Sequence, residues 1–413
     1  MLERAHNITS QLVAWRRDFH AHPELGFEEI RTAAKVAEVL GSLGYRVRTG
    51  VGRTGVVAER GRGHPIIAIR ADMDALPIQE ENEVPYVSQN PGVMHACGHD
   101  AHTAIALGVA TLLANEIFPG TVRFIFQPAE EVADAEGVSG AVRMIEDGAA
   151  EGVDAALALH MDASLAVGDV SVGDGPSSAG VDTFYATIIG VGGHGSTPHK
   201  VVDPIHIAGH VILSLNGIVA RTLPPAAPAV VSIGSIHSGQ ADNVIPERVE
   251  MSGTIRYMQS EDQAKIHAEI ERALSVAQAM GGDYELEIEI GYPPMFNDAT
   301  IVHLIQAVVG DLLGPEQLRA PELAMGAEDF GFFTKYADGA MFMLGSRIDE
   351  DERRHHSPRF DIDERALPLG TAVLAEAAVR LLRGEAHLES EPALQAPAFA
   401  GAVGARIPRY CAR

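Results

Sequence analysis

The sequence predicts a two-domain α/β protein, in which a larger domain with a mostly parallel central sheet carries an inserted ferredoxin-like α+β domain. Short apolar runs alternate with helical patterns in the first and last parts of the chain, as they do in proteins with mostly parallel sheets. The middle of the chain has a different order, β-α-β-β-α-β, which is typical of small ferredoxin-like domains. A length of 413 residues is sufficient for two or three domains.

The elements of the larger domain are predicted from the spacing of apolar residues. Residues 8–41 have apolar side chains three and four positions apart, interrupted at Pro23, and are predicted to be helical. Strands are predicted at four apolar runs, which are 65–70, 121–126, 154–159 and 339–344. Further helices are predicted over 102–114, 138–146 and 366–383.

The inserted domain is predicted from the order of its elements and from the residues that flank it. Its strands are predicted at 183–189, 230–236, 248–254 and 284–290, and its helices at 204–219 and 260–279. Glycines and prolines near 173–180 and at 293–294 are typical of hinges or linkers. We therefore expect a discontinuous domain over 1–181 and 293–384, an insert over 182–292, and a disordered tail over 385–413.

Composition excludes several classes of protein. The chain has 56 acidic and 31 basic residues, and its net charge of −25 repels nucleic acid and anionic lipid. Its two cysteines, Cys97 and Cys411, cannot form a disulfide framework. The N-terminus has no continuous apolar segment, and no apolar run approaches the ~20 residues that a membrane span needs. We expect a cytoplasmic protein that binds neither nucleic acid nor membranes.

Side chains of the types that bind metal ions follow the predicted strands. In open α/β sheets, ligands bind beyond the carboxyl ends of the strands. Each such side chain is weak evidence for a metal site by itself, since a lone histidine or cysteine more often has a structural role. Thiolate and imidazole together select ions such as Zn²⁺, Co²⁺, Ni²⁺ or Mn²⁺, and carboxylates can join or bridge them. Five chain segments bring these groups to one edge: Asp72 with Asp74, Cys97 with His99, Glu130 with Glu131, His160, and His355 with His356.

This combination of residues predicts a site that holds a pair of metal ions. Two ions about 3.5–4 Å apart can hold a hydroxide and polarise a carbonyl group together. The adjacent residues Glu130 and Glu131 can then have different tasks. One carboxylate can bind metal while the other stays free as a base.

The chain resembles the M20 metallopeptidase family over about residues 10–383. The resemblance is to the branch of aminoacylases and hippurate hydrolases, which includes the plant auxin-conjugate hydrolases. Ten motifs in the expected order make the resemblance specific. They are RRDFHAHPELGFEE (16–29), IRADMDALPIQE (69–80), MHACGHDAHTA (94–104), FQPAEE (126–131), ALH (158–160), GGHGSTPH (192–199), DNVIP (242–246), GTIR (253–256), MGAEDF (325–330) and HHSPRFDIDE (355–364).

The resemblance implies roles for the residues at the predicted metal site. Glu130 would be the general base, and Asp72 the residue that orients the metal site. His356 is preferred over His355 because the family's ligand directly precedes the S/N-P dipeptide. The implied ligands of two divalent ions (Zn, Mn, Co or Ni) are Cys97, His99, Glu131, His160 and His356.

The resemblance also implies that the inserted domain is a lid and a dimerisation domain. His194 would act at the substrate carbonyl, across the dimer from the other subunit's metals. Asn243 and Arg256 would bind the substrate's carboxylate or carbonyl, and His199 would assist them. Such a protein is expected to be a homodimer or a homotetramer. The dipeptide Met161-Asp162 departs from many relatives, so the preference for the acyl group cannot be transferred.

The resulting hypothesis is a metal-dependent amidohydrolase that cleaves N-acyl amino acids, such as N-acetyl or benzoyl derivatives, to a carboxylate and a free amino acid. An alternative is a dipeptidase or carboxypeptidase that uses the same metals. Another is a catalytically silent metal- or ligand-binding protein on the same scaffold. The pair Glu130-Glu131 argues against the silent protein, which needs no unligated carboxylate beside its metals.

Overall fold

A computed structural model describes residues 1–348, 353–386 and 406–409. The chain forms two compact units. The first unit comprises Met1–Ser177, Phe296–Glu322 and the described residues from Asp329 to Ala386. The second unit comprises Ser178–Met295, Leu323–Glu328 and the strand Arg406–Arg409. The insert predicted over 182–292 therefore falls within the second unit.

Helices and strands alternate along most of the described chain. The α-helices are α1 (Leu2–Asn7), α2 (Thr9–Ala21), α3 (Ile30–Ser42), α4 (His99–Leu113), α5 (Gly140–Glu146), α6 (Pro204–Thr222), α7 (Ser260–Leu274), α8 (Val276–Ala279), α9 (Ala299–Leu312) and α10 (Ala366–Leu382). The strands are β1 (Arg46–Val51), β2 (Gly55–Arg62), β3 (Ile66–Asp72), β4 (Gly120–Gln127), β5 (Ala155–Ala166), β6 (Val170–Ser171), β7 (Gly175–Ser178), β8 (Gly180–Ile189), β9 (Gly193–His194), β10 (Ala229–Ser238), β11 (Val244–Ile245), β12 (Arg248–Tyr257), β13 (Asp283–Ile290), β14 (Met295–Asn297), β15 (Leu318–Arg319), β16 (Asp338–Arg347) and β17 (Arg406–Arg409). Within the described ranges, no helix is long and apolar enough to cross a membrane.

The first unit is built on an eight-stranded sheet in the order β1-β2-β4-β3-β5-β16-β6-β15. Its centre is parallel, because β3 pairs in parallel with β4 and β5, and β16 pairs in parallel with β5. All of β4 is buried, as is nearly all of α4 and α10. Continuous apolar runs are expected for strands that are covered on both faces. The predicted fold class is confirmed.

Four strands of this sheet, β1, β2, β6 and β15, were not predicted from the sequence. β1 and β2 form an antiparallel pair, and β2 continues the sheet antiparallel to β4. Most of β1 is exposed at the edge of the sheet, so it lacks the apolar pattern on which the prediction depended. Boundaries also differ, because α4 begins at His99 rather than at residue 102, and β5 continues to Ala166.

The second unit contains a five-stranded antiparallel sheet in the order β10-β12-β8-β13-β17. The helices α6 and α7 contribute Leu215 and Ile270 to its buried core, which also contains Phe184 and Ile288. The element order between β8 and β13 is the predicted β-α-β-β-α-β order, with the short strands β9 and β11 added.

Four residues of the predicted tail, Arg406–Arg409, form the strand β17. β17 pairs antiparallel with β13, with Ile407 opposite Ile288. Without β17, β13 would be the edge of the sheet, and an edge strand offers unpaired N–H and C=O groups to any extended segment. Residues 387–405 and 410–413 of the predicted tail, including Cys411, lie outside the described residues.

Candidate metal centre

Cys97 lies at the centre of the predicted site. Its Sγ is 3.6 Å from His160 Nε2. It belongs to two groups of three possible ligands whose atoms all lie within 4.8 Å of one another. These groups are Cys97 with His99 and His160, and Cys97 with Glu131 and His356. The five ligands predicted from the resemblance are therefore brought together in two trios that share one sulfur.

Hydrogen bonds fix the ring nitrogens of two of these histidines. His160 Nδ1 donates to the carbonyl oxygen of Met161 at 2.8 Å. His99 Nδ1 lies 3.0 Å from the carbonyl oxygen of Asp74 and 3.2 Å from its Oδ1, so it too is a donor. In both rings Nε2 is left available to a metal ion, which is the usual arrangement of a metal-ligating histidine.

The turn after β4 carries Glu130 and Glu131. The backbone N–H of Glu131 donates to Asp74 Oδ2 at 2.9 Å. Glu130 is buried, and its carboxylate lies within 4.8 Å of ligand atoms of His99 and Glu131. Asp74 therefore holds both the His99 ring and the turn of Glu130 and Glu131, although no separate role was predicted for it.

Asp72 ends β3 and is held by charged and polar neighbours. Its Oδ2 accepts from Arg70 Nη1 at 2.7 Å, and its Oδ1 lies 2.6 Å from His102 Nδ1. Burial opposes ionisation of Asp72, but His99 and Arg70 outweigh it and hold the pKa of that carboxyl well below its usual value. Arg70 is fixed in turn by Asp329 Oδ1 at 2.8 Å.

His102 is close to the trios, but both of its ring nitrogens are hydrogen-bonded to other groups. Its Nδ1 donates to Asp72, and its Nε2 accepts from the backbone N–H of Met161 at 2.8 Å. Burial lowers the pKa of His102 to about 4, so the ring is neutral. Both ring nitrogens of His102 are therefore hydrogen-bonded, and its Nδ1 holds the Asp72 carboxylate.

His355 and His356 both lie at the centre, although only His356 was preferred as a ligand from the sequence. His356 Nε2 is 3.0 Å from Glu131 Oε1, whereas His355 Nδ1 is 3.7 Å from Cys97 Sγ. The Cys97 sulfur and the Glu131 carboxylate raise the pKa of His356 to about 10. Burial lowers the pKa of His355 to about 3, and its ring packs against Phe360.

A buried ionic network lies behind the centre and joins three of the segments that form it. Arg16 of α2 is fully buried and donates to Asp100 at 2.9 Å and to Asp361 at 2.6 Å. His20, one turn later, lies 2.7 Å from Asp100 and 3.1 Å from Glu80. Because Asp100 follows His99 and Asp361 follows the segment of His356, the network fixes both ligand-bearing segments.

The side chains at this centre fit a pair of divalent ions. His99 Nε2 and Glu131 Oε1 are buried, and neither has a hydrogen-bond partner among the described residues. Glu131 Oε1 and His356 Nε2 are close but are not aligned for a hydrogen bond. Buried polar atoms without partners are costly, so atoms that converge in this way are explained by a shared cation. One thiolate, three imidazoles and one carboxylate suit Zn²⁺, Co²⁺, Ni²⁺ or Mn²⁺.

The segments that form the centre match a known family. The family described as "Peptidase family M20/M25/M40" matches residues 68–380, which include all seven residues from Asp72 to His356 that were predicted for the metal site. The chain belongs to peptidase family M20/M25/M40. The match covers most of the first unit and the whole stretch from β8 to β13.

Similar proteins match this M20-family chain over nearly its whole length. A probable hydrolase of Synechocystis, sll0100, is 42% identical and covers 91% of this chain and 96% of its own. Thermostable carboxypeptidase 2 of Saccharolobus solfataricus is 37% identical, and the match covers 92% of this chain and 98% of that protein. The IAA-amino acid hydrolase ILR1-like 4 of Arabidopsis thaliana is 38% identical, and the match covers 92% of this chain and 88% of that protein.

A solved structure shows the same architecture. The YXEP protein of Bacillus subtilis, described as a dinuclear metal-binding peptidase of the M20 family, superposes with a TM-score of 0.80. It is 36% identical and covers 92% of this chain and 99% of its own.

The other residues predicted from the resemblance lie in the second unit. His194 on β9 is exposed, and its Nδ1 accepts from the backbone N–H of Ser196 at 3.1 Å. The neutral ring therefore carries its proton on Nε2. His199 and Asn243 are exposed as well.

Arg256 on β12 is half-buried and lacks a carboxylate partner among the described residues. Its Nε donates to Thr254 Oγ1 at 3.2 Å. Burial lowers the pKa of Arg256, because no described anion offsets the loss of water around its guanidinium. Such an arginine is suited to bind an anionic ligand.

Glu29 was not predicted as a functional residue, although it lies in a motif that the sequence analysis used. Its side chain is fully buried. Its Oε1 accepts from the backbone N–H of Ala129 at 2.8 Å, and its Oε2 accepts from Thr54 Oγ1 at 2.5 Å. Burial, together with the nearby charge of Asp74, raises the pKa of Glu29 to about 7. Since Glu29 and Ala129 are far apart in the sequence, no local pattern could reveal this contact.

Proposed function

We propose that this M20-family chain hydrolyses the amide bond of N-acyl amino acids and releases a carboxylate and a free amino acid. The observation that carries the proposal is the pair of ligand trios that share Cys97, with the carboxylate of Glu130 beside them. The Arabidopsis relative named as an IAA-amino acid hydrolase, 38% identical to this chain, supports an acylated amino acid as the substrate.

The proposed ligands of two divalent ions are those of the two trios. Bound ions of this type polarise a carbonyl oxygen and lower the pKa of a water molecule. The chain orients the ligands beforehand. Asp74 holds the His99 ring and the Glu131 backbone, while Asp72 is kept ionised by Arg70 and is oriented by His102.

Glu130 is proposed as the general base. It is buried beside the trios, and its neighbour Glu131, rather than Glu130 itself, belongs to the trio with Cys97 and His356. One oxygen of the Glu130 carboxylate would take a proton from the attacking water and deliver it to the leaving nitrogen. A single group would thus act as base and then as acid.

His194 is proposed to stabilise the oxyanion that forms from the amide carbonyl. The bond from Ser196 to its Nδ1 supports this role, because the proton is then on Nε2 and can be donated to an oxyanion. We propose that His194 acts across a homodimer or homotetramer formed through the second unit. The oligomeric state is testable by light scattering coupled to size-exclusion chromatography.

Arg256 and Asn243 are proposed to bind the carboxylate of the substrate, with His199 assisting. The guanidinium of Arg256 has two parallel N–H groups that match a carboxylate. Its lack of a described anionic partner supports this role, since a substrate carboxylate would supply the missing charge. A requirement for a free α-carboxylate follows.

A carboxypeptidase is the second candidate. The 37% identity to a thermostable carboxypeptidase supports it. Both reactions release an amino acid with a free carboxylate, so Arg256 and the metal centre suit either of them. They differ in the group on the acyl side of the bond, which is a simple acyl group in one case and a peptidyl or aminoacyl group in the other.

The experiment that tests the proposal is amino-acid release from a panel of N-acetyl, N-benzoyl and indole-acyl amino acids and free-amino dipeptides. Each compound is assayed with Zn, Mn, Co or Ni and after chelation. Chelator-sensitive release from the acylated compounds alone is the expected result. Release mainly from peptides would favour the carboxypeptidase or dipeptidase. No release under any metal, with metal still bound, would favour a silent binding protein.

A further inference from the structure

The turn that carries Glu130 is held from both sides by buried carboxylates. The N–H of Ala129 donates to Glu29 Oε1 at 2.8 Å, and the N–H of Glu131 donates to Asp74 Oδ2 at 2.9 Å. The backbone amides on either side of Glu130 are therefore fixed by two other segments of the chain. Buried N–H groups need partners, so both bonds constrain the path of this turn.

Ala129 has a backbone conformation that needs support. Its φ is +46°, in the left-handed region, which residues with a Cβ disfavour. Such conformations persist only where the surroundings determine them. Glu29 binds the N–H of Ala129, and the N–H of Gly140 donates to its carbonyl oxygen at 3.0 Å.

The position of Glu29 directs its carboxylate to the turn rather than to its own helix. Glu29 is the N-cap residue of α3, but its side chain makes no capping hydrogen bond. The N–H groups of Arg31 and Thr32, in the first turn of α3, are instead bound by Glu24 at 2.9 and 2.8 Å. A residue at a helix N-cap usually caps with its side chain, so this carboxylate is diverted to another partner.

The segment before Glu29 packs directly against the same turn. A Cβ added at Gly26 would lie 2.4 Å from Val132 Cγ2 and 3.0 Å from the Cβ of Ala129. The other oxygen of Glu29 is occupied by Thr54 Oγ1. Close packing and two hydrogen bonds therefore fix the carboxylate of Glu29 against the backbone of Ala129.

We propose that Glu29 is a positioning residue of this enzyme, which holds Ala129 in its left-handed conformation and thereby places the carboxylate of Glu130. The inference rests on the proposed function, in which Glu130 is the general base. Glu29 itself would touch neither the substrate nor the metal ions. Its effect is expected on kcat rather than on KM, because Arg256 and the other proposed substrate-binding residues are unchanged.

The first test compares E29M with E29Q. E29M removes both acceptor oxygens at similar volume and is expected to lower kcat by about 10–100-fold with KM within about threefold, since small displacements of a catalytic group have effects of this size. E29Q keeps an acceptor for Ala129 and can donate to Thr54, so its kcat should stay within about threefold. If E29M does not fold, a fall of more than about tenfold in folded E29Q would overturn the proposal by itself.

The second test is rescue by glycine. Glycine adopts positive φ without steric cost, so a turn with A129G depends less on Glu29. The double variant A129G/E29M is therefore expected to recover most of the kcat that E29M loses. A residue that only fills the core would not be rescued in this way, and absence of rescue would contradict the proposal.

The matched control is E24M, which removes a nearby carboxylate that binds the backbone N–H groups of Arg31 and Thr32 but does not bind the turn of Glu130. It is expected to lower the melting temperature but to leave kcat within about twofold of the wild type. An equal loss of kcat in E24M and E29M would show a general effect of destabilisation and would overturn the proposal.

A spectroscopic measurement separates this inference from the proposed function. The absorption spectrum of the Co²⁺-loaded protein reports the environment of the Cys97 and Glu131 ligands. It should change in E29M and return towards that of the wild type in A129G/E29M. If the wild type hydrolyses no compound of the panel, the proposed function fails, whereas the spectra still test whether Glu29 positions the turn. An unchanged spectrum in E29M together with an unchanged kcat would overturn the inference.

Discussion

The metal centre of the first unit and the candidate substrate-binding residues of the second unit differ in how far the folded chain fixes them. At the metal centre, Asp72, Asp74 and His99 are buried, Asp72 is held by Arg70 and His102, and Asp74 binds both the His99 ring and the N–H of Glu131. In the second unit, the His194 side chain is exposed and is hydrogen-bonded to the nearby Ser196, and the Arg256 guanidinium is bound by Thr254. The first arrangement therefore exists before any substrate binds. For the second, we propose that substrate or another subunit supplies the partners.

The largest effect is expected from removing the sulfur that the two trios share. C97A is expected to abolish turnover and to reduce the binding of both ions, because each trio loses a ligand. H160A is the matched control, since it leaves the trio of Cys97, Glu131 and His356 complete and should retain one ion. Metal content measured by mass spectrometry distinguishes them. Retention of two ions by C97A would contradict the shared site.

Replacing the proposed base separates chemistry from metal binding within the first unit. E130Q keeps the size of the side chain but cannot take a proton, so kcat should fall by about 10²–10⁴-fold. Metal content should be unchanged, because Glu130 is in neither of the trios that share Cys97. The check is kcat for an N-acyl amino acid together with metal analysis. Unchanged turnover in E130Q would show that Glu130 is not the general base.

The exposed histidine of the second unit should matter as much as a buried donor would. H194A is expected to lower kcat by about 10²–10³-fold, the usual effect of removing one donor to an oxyanion. Melting temperature should hardly change, because the side chain is exposed. H194Q, which offers an N–H, should retain more activity than H194A. Wild-type kinetics in H194A would show that this histidine is a surface residue.

Arg256 should affect binding more than chemistry. R256M is expected to raise KM for acylated amino acids by about 10–100-fold, the value of one or two hydrogen bonds to a charged group. R256K keeps the charge without the paired N–H groups and should lie between R256M and the wild type. Substrates whose carboxylate is amidated provide the control. If R256M affected acids and amides equally, Arg256 would not bind the carboxylate.

Glu29 gives the smallest expected effect on turnover when it is replaced by glutamine, but that change should have a clear effect on stability. Its pKa is about 7 in the folded protein and near 4.5 when exposed, so the folded state binds the proton more tightly between these values. Stability of the wild type relative to E29Q should therefore fall as the pH rises from about 4.5 to 7, by about 3 kcal/mol, and stay constant above that range. Urea denaturation of both proteins at several pH values in this range measures the difference in their free energies of unfolding. If that difference did not change with pH, the raised pKa of Glu29 would be contradicted.

Much of the metal centre was predictable because its ligands follow strands. Asp72 ends β3, and Glu130 and Glu131 follow β4, so the parallel pairing of these strands places them at one edge. The assignment of partners was not predictable. Asp72 contacts His102 and Asp74 contacts His99, because two positions at the end of β3 meet two positions in the first turn of α4.

Other features depended on contacts between distant segments. β1 is mostly exposed and only half of β2 is buried, and their place in the sheet depends on the pairing of β1 with β2 and of β2 with β4. The buried network around Arg16 joins α2, α4 and the segment after His356, which no local pattern connects. The same holds for Glu29 and Ala129, which meet only in the folded chain.

The sequence by itself determined the alternation of strands and helices, the insertion of a second unit, the family and the types of metal ligand. These depend on periodicity and on residue chemistry, which are local properties of the chain. Only the tertiary structure decided that the ligands form two trios around one sulfur, that His102 is occupied by Asp72 and Met161, and that Glu29 holds the turn of Glu130. Hydrogen bonds at about 3 Å depend on how separate elements pack, and that information is not present in the spacing of residues along one segment.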